Sequence, residues 1–260
     1  MLFQILLITW IAGVLGTGLG GLFGVLFCHD SVKITGLLVS FAAGIMLSVV
    51  CFNMIMEAML PENTGRQMSI LLVDAGIAAG FLMVWGLNEW IENIRSAKNG
   101  PYVSFGVGTA ANFSLLTAGI VMILAIAIHN LPEGMVIGAS SAVDSMGTAG
   151  LIMAIVIGIH NIPEGMAVAV ALAGGGMGRI KTVLLTACSG FPTVIGAAFG
   201  WKFGTMGPVM LCIMLSFAAG AMLYVVMGEL IPEALDMWNS KVIAVSILVG
   251  MMTGLVIIYA

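Results

Sequence analysis

Eight long apolar runs, separated by short polar stretches, set the pattern of this chain. They fall at about 2–27, 34–60, 69–91, 113–140, 147–173, 181–201, 207–234 and 240–260. A helix needs about 20 apolar residues to cross the hydrocarbon core of a bilayer, and each run is long enough. None alternates with period two, as the strands of a spanning β-barrel would. The pattern predicts an all-α polytopic membrane protein of eight transmembrane helices, with one transmembrane domain over 1–260. The longest polar connection is 92–112, which holds Arg95, Lys98, Gly100 and Pro101. No Lys or Arg precedes Lys33, so the first run lacks the basic start of a signal peptide and reads as a membrane helix.

Composition agrees with lipid as the solvent. The chain is 61% hydrophobic and 8% charged, where a soluble domain carries about 25% charge. The net charge of −4 comes without a basic cluster, which excludes nucleic acid as a partner. Cys28, Cys51, Cys188 and Cys212 are far apart, form no C-x-x-C pair and read as small packing residues. The 21 methionines show no repeated ligand spacing, which argues against copper. With the N-terminus outside, six basic residues (Lys33, Arg95, Lys98, Arg179, Lys181, Lys241) lie in inner loops and two (Arg66, Lys202) in outer ones. The positive-inside rule then predicts both termini outside.

Two internal repeats cut across this layout. HNLPEGM at 129–135 recurs as HNIPEGM at 160–166, in the fourth and fifth runs. SFAAGIMLSVV at 40–50 recurs as SFAAGAMLYVV at 216–226, in the second and seventh. The second repeat places Asn53 opposite Glu229 and Glu57 opposite Glu233. Helices two and seven run in opposite directions, as do four and five. That is an inverted repeat, whose binding sites lie near the bilayer midplane where the halves meet.

The HN-x-PEG motifs carry the chemistry. His129 and Glu133 are four residues apart and share one helix face, with Asn130 three before the same Glu. Pro132 has no N–H for the carbonyl of Ile128, which predicts a kink. Helix five repeats the set with His160, Asn161, Pro163 and Glu164. A charged carboxylate at mid-membrane costs about 2.5–3.5 kcal/mol on insertion scales. No Lys or Arg lies in the centre of any run to neutralise two of them. A divalent cation would neutralise both, and protons would compete with it. Imidazole with carboxylate suits Zn²⁺, Fe²⁺ or Mn²⁺ better than Ca²⁺ or Mg²⁺. Two His and two Glu can make a four-ligand site, and the Asn side chains with the outer carboxylate faces a second. One such motif alone would read as hydrogen-bonding glue between helices; two on antiparallel neighbours favour metal. Glu229 reads as lining the cytoplasmic path. Asn53, Glu57 and Glu233, nearer helix ends, read as path or interface. His29 and Asp30 read as solvated loop residues.

At these residues the chain resembles the ZIP family of divalent-metal transporters, nearest its prokaryotic, GufA-like branch. The resemblance rests on HNLPEG, HNIPEG, SFAAGIML at 40–47 and SFAAGAMLYVVMGELIPEA at 216–234, and covers essentially the whole chain. It implies a ZIP-like helical bundle with a binuclear site between helices four and five. One ion would be held by His129, Glu133, His160 and Glu164; the other by Asn130 and Asn161, with the glutamates bridging. It also implies movement of helices one, four, five and six against the rest. Some relatives carry a glutamate in helix six where this chain has Thr193, in SGFPTVIG, which weakens the second site. Asn53 stands where relatives often have His. The His-rich loop of many eukaryotic members is absent.

The combined reading is import of Zn²⁺, with Fe²⁺, Mn²⁺ or Cd²⁺ as further substrates, across a cell membrane, with no enzymatic cofactor. Divalent ions, the lipid bilayer and a homodimer are the expected partners. The rival reading is an intramembrane zinc-dependent hydrolase. It needs an open coordination position and a general base that is not a ligand, and neither motif supplies a separate base.

Overall fold

The computed structural model describes residues 2–27, 32–61, 67–99, 109–143 and 148–259. These form helices, with no strand among the described residues. Eight are long and apolar enough to span a bilayer: α1 (Leu2–Leu26), α2 (Lys33–Met59), α3 (Ile70–Trp90), α4 (Met122–Ala142), α5 (Thr148–Gly174), α6 (Arg179–Gly204), α7 (Pro208–Met237) and α8 (Val242–Tyr259). The helix that carries α3 continues to Asn99, and the one that carries α4 begins at Thr109. Both overrun the apolar runs, because a helix satisfies its own backbone whether its side chains meet lipid or water. His29, Asp30, Arg66 and the centre of the 92–112 connection lie outside the described residues.

Helices pair as the inverted repeat requires. The closest partners are α4 with α6, α1 with α5, α2 with α8 and α3 with α7. Repeat-matched glycines make these approaches possible. A side chain at Gly134 would run into the Thr193 carbonyl, and one at Gly165 into the Thr17 carbonyl. Gly44 faces the Ile247 carbonyl and Gly220 the Ile77 carbonyl in the same way. Without a hydrophobic force between helices in lipid, such close backbone packing is what holds them together. Two four-helix groups result, α1–α4–α5–α6 and α2–α3–α7–α8, which meet where α5 packs on α2 and α4 on α7.

The spans are less regular than their apolar runs. π-helical turns occupy Ile11–Leu15 in α1, Val50–Met54 in α2 and Val225–Leu230 in α7. The last two follow the SFAAG repeats in the register that pairs Asn53 with Glu229. The sixth span, a single run in the sequence, is broken at Gly190–Phe191 between helices Arg179–Ser189 and Pro192–Gly204. Pro192 starts the second piece, where its missing N–H is harmless. By contrast, helices α4 and α5 run unbroken through Pro132 and Pro163. Of the cysteines, Cys212 is buried as a packing residue, whereas Cys51 and Cys188 lie on the outer surface.

Candidate metal site

The two HN-x-PEG motifs face each other across the α4–α5 contact, in the buried centre of the bundle. His129, Asn130, Glu133, His160, Asn161 and Glu164 are all at most 1% exposed. The histidines pair crosswise. His160 Nε2 lies 2.9 Å from Glu133 Oε1, and His129 Nε2 lies 3.4 Å from Glu164 Oε2. Each imidazole thus meets the carboxylate of the other helix. The spacing of four aligns both side chains on one face, and the facing helix then supplies the partner.

Ligand-type atoms of His129, Glu133 and Glu164 all lie within 4.8 Å of one another, and His160 joins this cluster through Glu133. The second carboxylate oxygens, Glu133 Oε2 and Glu164 Oε1, are buried with no hydrogen-bond partner. So are Asn130 Oδ1, Asn161 Oδ1, Thr193 Oγ1 and His160 Nδ1. Buried acceptors without donors are costly, and a cluster of them is what a cation would satisfy. The two carboxylates would balance the charge of a divalent cation there.

Glu229, in the π-helical turn of α7, adds a third carboxylate. Its Oε2 lies 3.8 Å from His129 Nδ1, and its side chain is 19% exposed. A cleft begins here, lined by His129, Glu164, Glu229, Glu233, Val39 and Met122 among others. Its lining lies in the half of the bundle toward Lys33, Arg179 and Lys181, and it brings Glu233 into line with the site. At the other end Ala58, Val73, Ala139, Leu211 and Leu215 pack into an apolar plug. Glu57 sits there, its Oε2 accepting a bond from Ser140 Oγ at 3.4 Å. Asn53 is half-buried in its own π-helical turn, with Oδ1 unpartnered. Both lie on the last part of α2, which ends at the plug through Ala58.

Sequence reasoning missed the backbone partners of the two asparagines. Asn130 Nδ2 donates to the Ser189 carbonyl at 2.8 Å, and Asn161 Nδ2 to the Ala12 carbonyl at 3.2 Å. The Gly-Phe-Pro run was the available signal for the break beside Ser189; the π-helical turn around Ala12 had none.

Comparison with known proteins gives a consistent set. A family model described as ZIP Zinc transporter matches residues 107–260. The zinc transporter ZupT of Chlorobium limicola is 31% identical over 255 residues, covering 95% of this chain and 93% of its own length. The zinc transporter ZIPB of Bordetella bronchiseptica is 32% identical over 228 residues, covering 85% and 70%. The zinc transporter GufA of Myxococcus xanthus is 32% identical over 188 residues, covering 70% of each.

Proposed function

This chain belongs to the ZIP family of zinc transporters, and from that premise we propose that it carries Zn²⁺ across a cell membrane into the cytoplasm. The observation that carries the reading is the crosswise His129–Glu164 and His160–Glu133 arrangement, buried between α4 and α5 with its outer oxygens unpartnered. His129, Glu133, His160 and Glu164 hold the first ion. Asn130 Oδ1, Asn161 Oδ1 and the second oxygens of the glutamates offer a weaker all-oxygen place beside it, with the hydroxyl of Thr193 as a neutral contributor. Fe²⁺, Mn²⁺ and Cd²⁺ fit the same mixed nitrogen–oxygen set and compete with Zn²⁺.

Charge and access support this direction. The Lys/Arg-rich end is cytoplasmic by the positive-inside rule, which puts both termini outside. The cleft beside the site lies in that half and apolar packing fills the other end, which supports an inward-facing reading. Protonation of the histidines and glutamates competes with the cation, since ligands must be deprotonated to bind. An intramembrane hydrolase is disfavoured, since the relatives are named as transporters.

The test is uptake into proteoliposomes that hold a zinc-sensitive dye. Native protein should give a saturable signal that Cd²⁺ and Mn²⁺ compete away; a signal equal to that of protein-free vesicles overturns the proposal. Glu229 Oε2 stands 3.8 Å from the second ring nitrogen of His129, just beyond hydrogen-bond length, and would partner it once that histidine holds a metal; loss of such a partner typically costs about 10–100-fold in metal affinity or activity. The Glu229→Ala variant should therefore lower uptake by about 10-fold or more, measured as initial rate against Zn²⁺ concentration. An unchanged rate would remove Glu229 from the path.

A further inference from the structure

The asparagines of the two motifs do something the ligand reading leaves unexplained. Each gives its amide donor to a main-chain carbonyl in a different helix. Asn130 donates to Ser189 of α6 at 2.8 Å and Asn161 to Ala12 of α1 at 3.2 Å. Both acceptors lie at breaks in regular helix. Ser189 ends a helix: residue 192 is proline, and the Thr193 N–H bonds Gly190 instead, so neither serves the Ser189 carbonyl. Ala12 lies in the π-helical turn Ile11–Leu15, closed by the Gly16 N–H reaching back to Ile11.

The two breaks also touch each other. A side chain at Gly190 would strike the Gly13 carbonyl, and one at Gly13 would strike the Gly190 carbonyl and Thr193. Thr17 Oγ1 donates to that same Gly13 carbonyl at 2.8 Å. The irregular segments of α1 and α6 thus form one joint, held from either side by the residue after each motif histidine.

We propose that Asn130 and Asn161 are positioning residues that fasten the metal cluster to this joint, so that a cation at the cluster tightens α1 and α6 against α4 and α5. The physics is bond polarisation. An amide oxygen drawn toward a cation makes the N–H of the same amide a stronger donor, and linked hydrogen bonds reinforce one another. Asn130 Oδ1 and Asn161 Oδ1 are buried and unpartnered, free to be drawn in this way. Occupancy of the site is then felt in the backbone of all four helices of the group. This rests on the carrier reading for its purpose but not for its geometry.

Asparagine-to-aspartate exchange separates ligand from fastener. Asn130→Asp and Asn161→Asp keep an oxygen of the same reach and add charge, so a ligand-only role predicts equal or tighter Zn²⁺ binding. The positioning role predicts damage, because the donor is gone and a carboxylate would face a carbonyl. The measurement is hydrogen exchange by mass spectrometry over 9–17 and 186–194, with and without Zn²⁺ as the only added ligand, beside Zn²⁺ affinity and uptake kinetics. In native protein Zn²⁺ should slow exchange in both segments. Asn130→Asp should speed exchange about fivefold in 186–194 alone, and Asn161→Asp in 9–17 alone, the size expected for one lost hydrogen bond. Both variants should lower the maximal uptake rate more than the affinity. Native exchange at both segments in both variants overturns the proposal. Where a variant does not yield monodisperse protein, the native comparison decides alone: no Zn²⁺-dependent slowing in either segment also overturns it. Native protein that shows the exchange pattern yet moves no zinc would sink the carrier reading and leave the fastening intact.

Discussion

The Glu133→Gln, Glu164→Gln double variant should fold as well as the native protein without metal and yet bind and carry no zinc. Both carboxylates are buried, 0% and 1% exposed, in a part of the membrane with no Lys or Arg. Burying an ion costs several kcal/mol after relaxation, and two beside each other repel. Glutamine keeps the shape and can still meet His160 and His129 through its amide. Removing the charges therefore leaves metal-free stability unchanged or raised. What disappears is the stabilisation that metal supplies. A ligand at 100 times its dissociation constant stabilises the folded state by about 2.7 kcal/mol, so native protein should gain that much with Zn²⁺ and the double variant nothing. Uptake should fall by more than about 100-fold, beyond the range seen when only a supporting partner of a ligand is removed. Thermal unfolding in detergent with zinc and with chelator reads the first effect, and vesicle uptake the second. Equal zinc-induced stabilisation in both proteins would move the binding site elsewhere.

The second large effect comes from a single methyl group. In Gly134→Ala the new Cβ collides with the main-chain oxygen of Thr193, followed by the Ala197 amide nitrogen. Neither can swing aside as a side-chain tip could. Relief requires α4 and α6 to move apart along their closest contact, just below Glu133. Overpacking typically costs about 1–3 kcal/mol, and a backbone obstacle puts this case near about 3 kcal/mol or above. The motion would also shift Glu133 and Asn130, so uptake should fall with stability. Gly86→Ala is the control: nothing lies within 4 Å of a Cβ there, and both properties should stay native. Thermal unfolding of the two variants side by side checks the pair. A Gly134→Ala protein as stable as native would mean that α4 and α6 are not held this closely.

Much of this was legible before any coordinates. The eight spans follow from apolar length, because a membrane admits few other solutions. The cluster followed from charge: His and Glu at spacing four, twice, with no cation nearby. The repeats also carry the glycines at which helices approach, since Gly134 with Gly165 and Gly44 with Gly220 occupy matching places, but which helices they bring together came only from the structure. What the chain did not disclose was its irregular backbone. The π-helical turns at Val50–Met54 and Val225–Leu230 leave the apolar pattern intact, because an all-round hydrophobic helix has no face whose drift would betray an extra residue. Their effect is nevertheless local and functional, as such turns often are: one of them sets Glu229 against His129. The donor bonds of Asn130 and Asn161 were hidden for a related reason. They depend on carbonyls freed in other helices, at Ser189 and Ala12, and only the three-dimensional packing brings those within reach.

The most direct test counts ions. Native protein in sealed proteoliposomes, given ⁶⁵Zn²⁺ outside, should accumulate many zinc ions per protein molecule, with a saturable initial rate and release by an ionophore. That result is transport. About one or two ions per molecule, reached at once and not released by the ionophore, would mean that the paired motifs only bind metal, and would contradict the account.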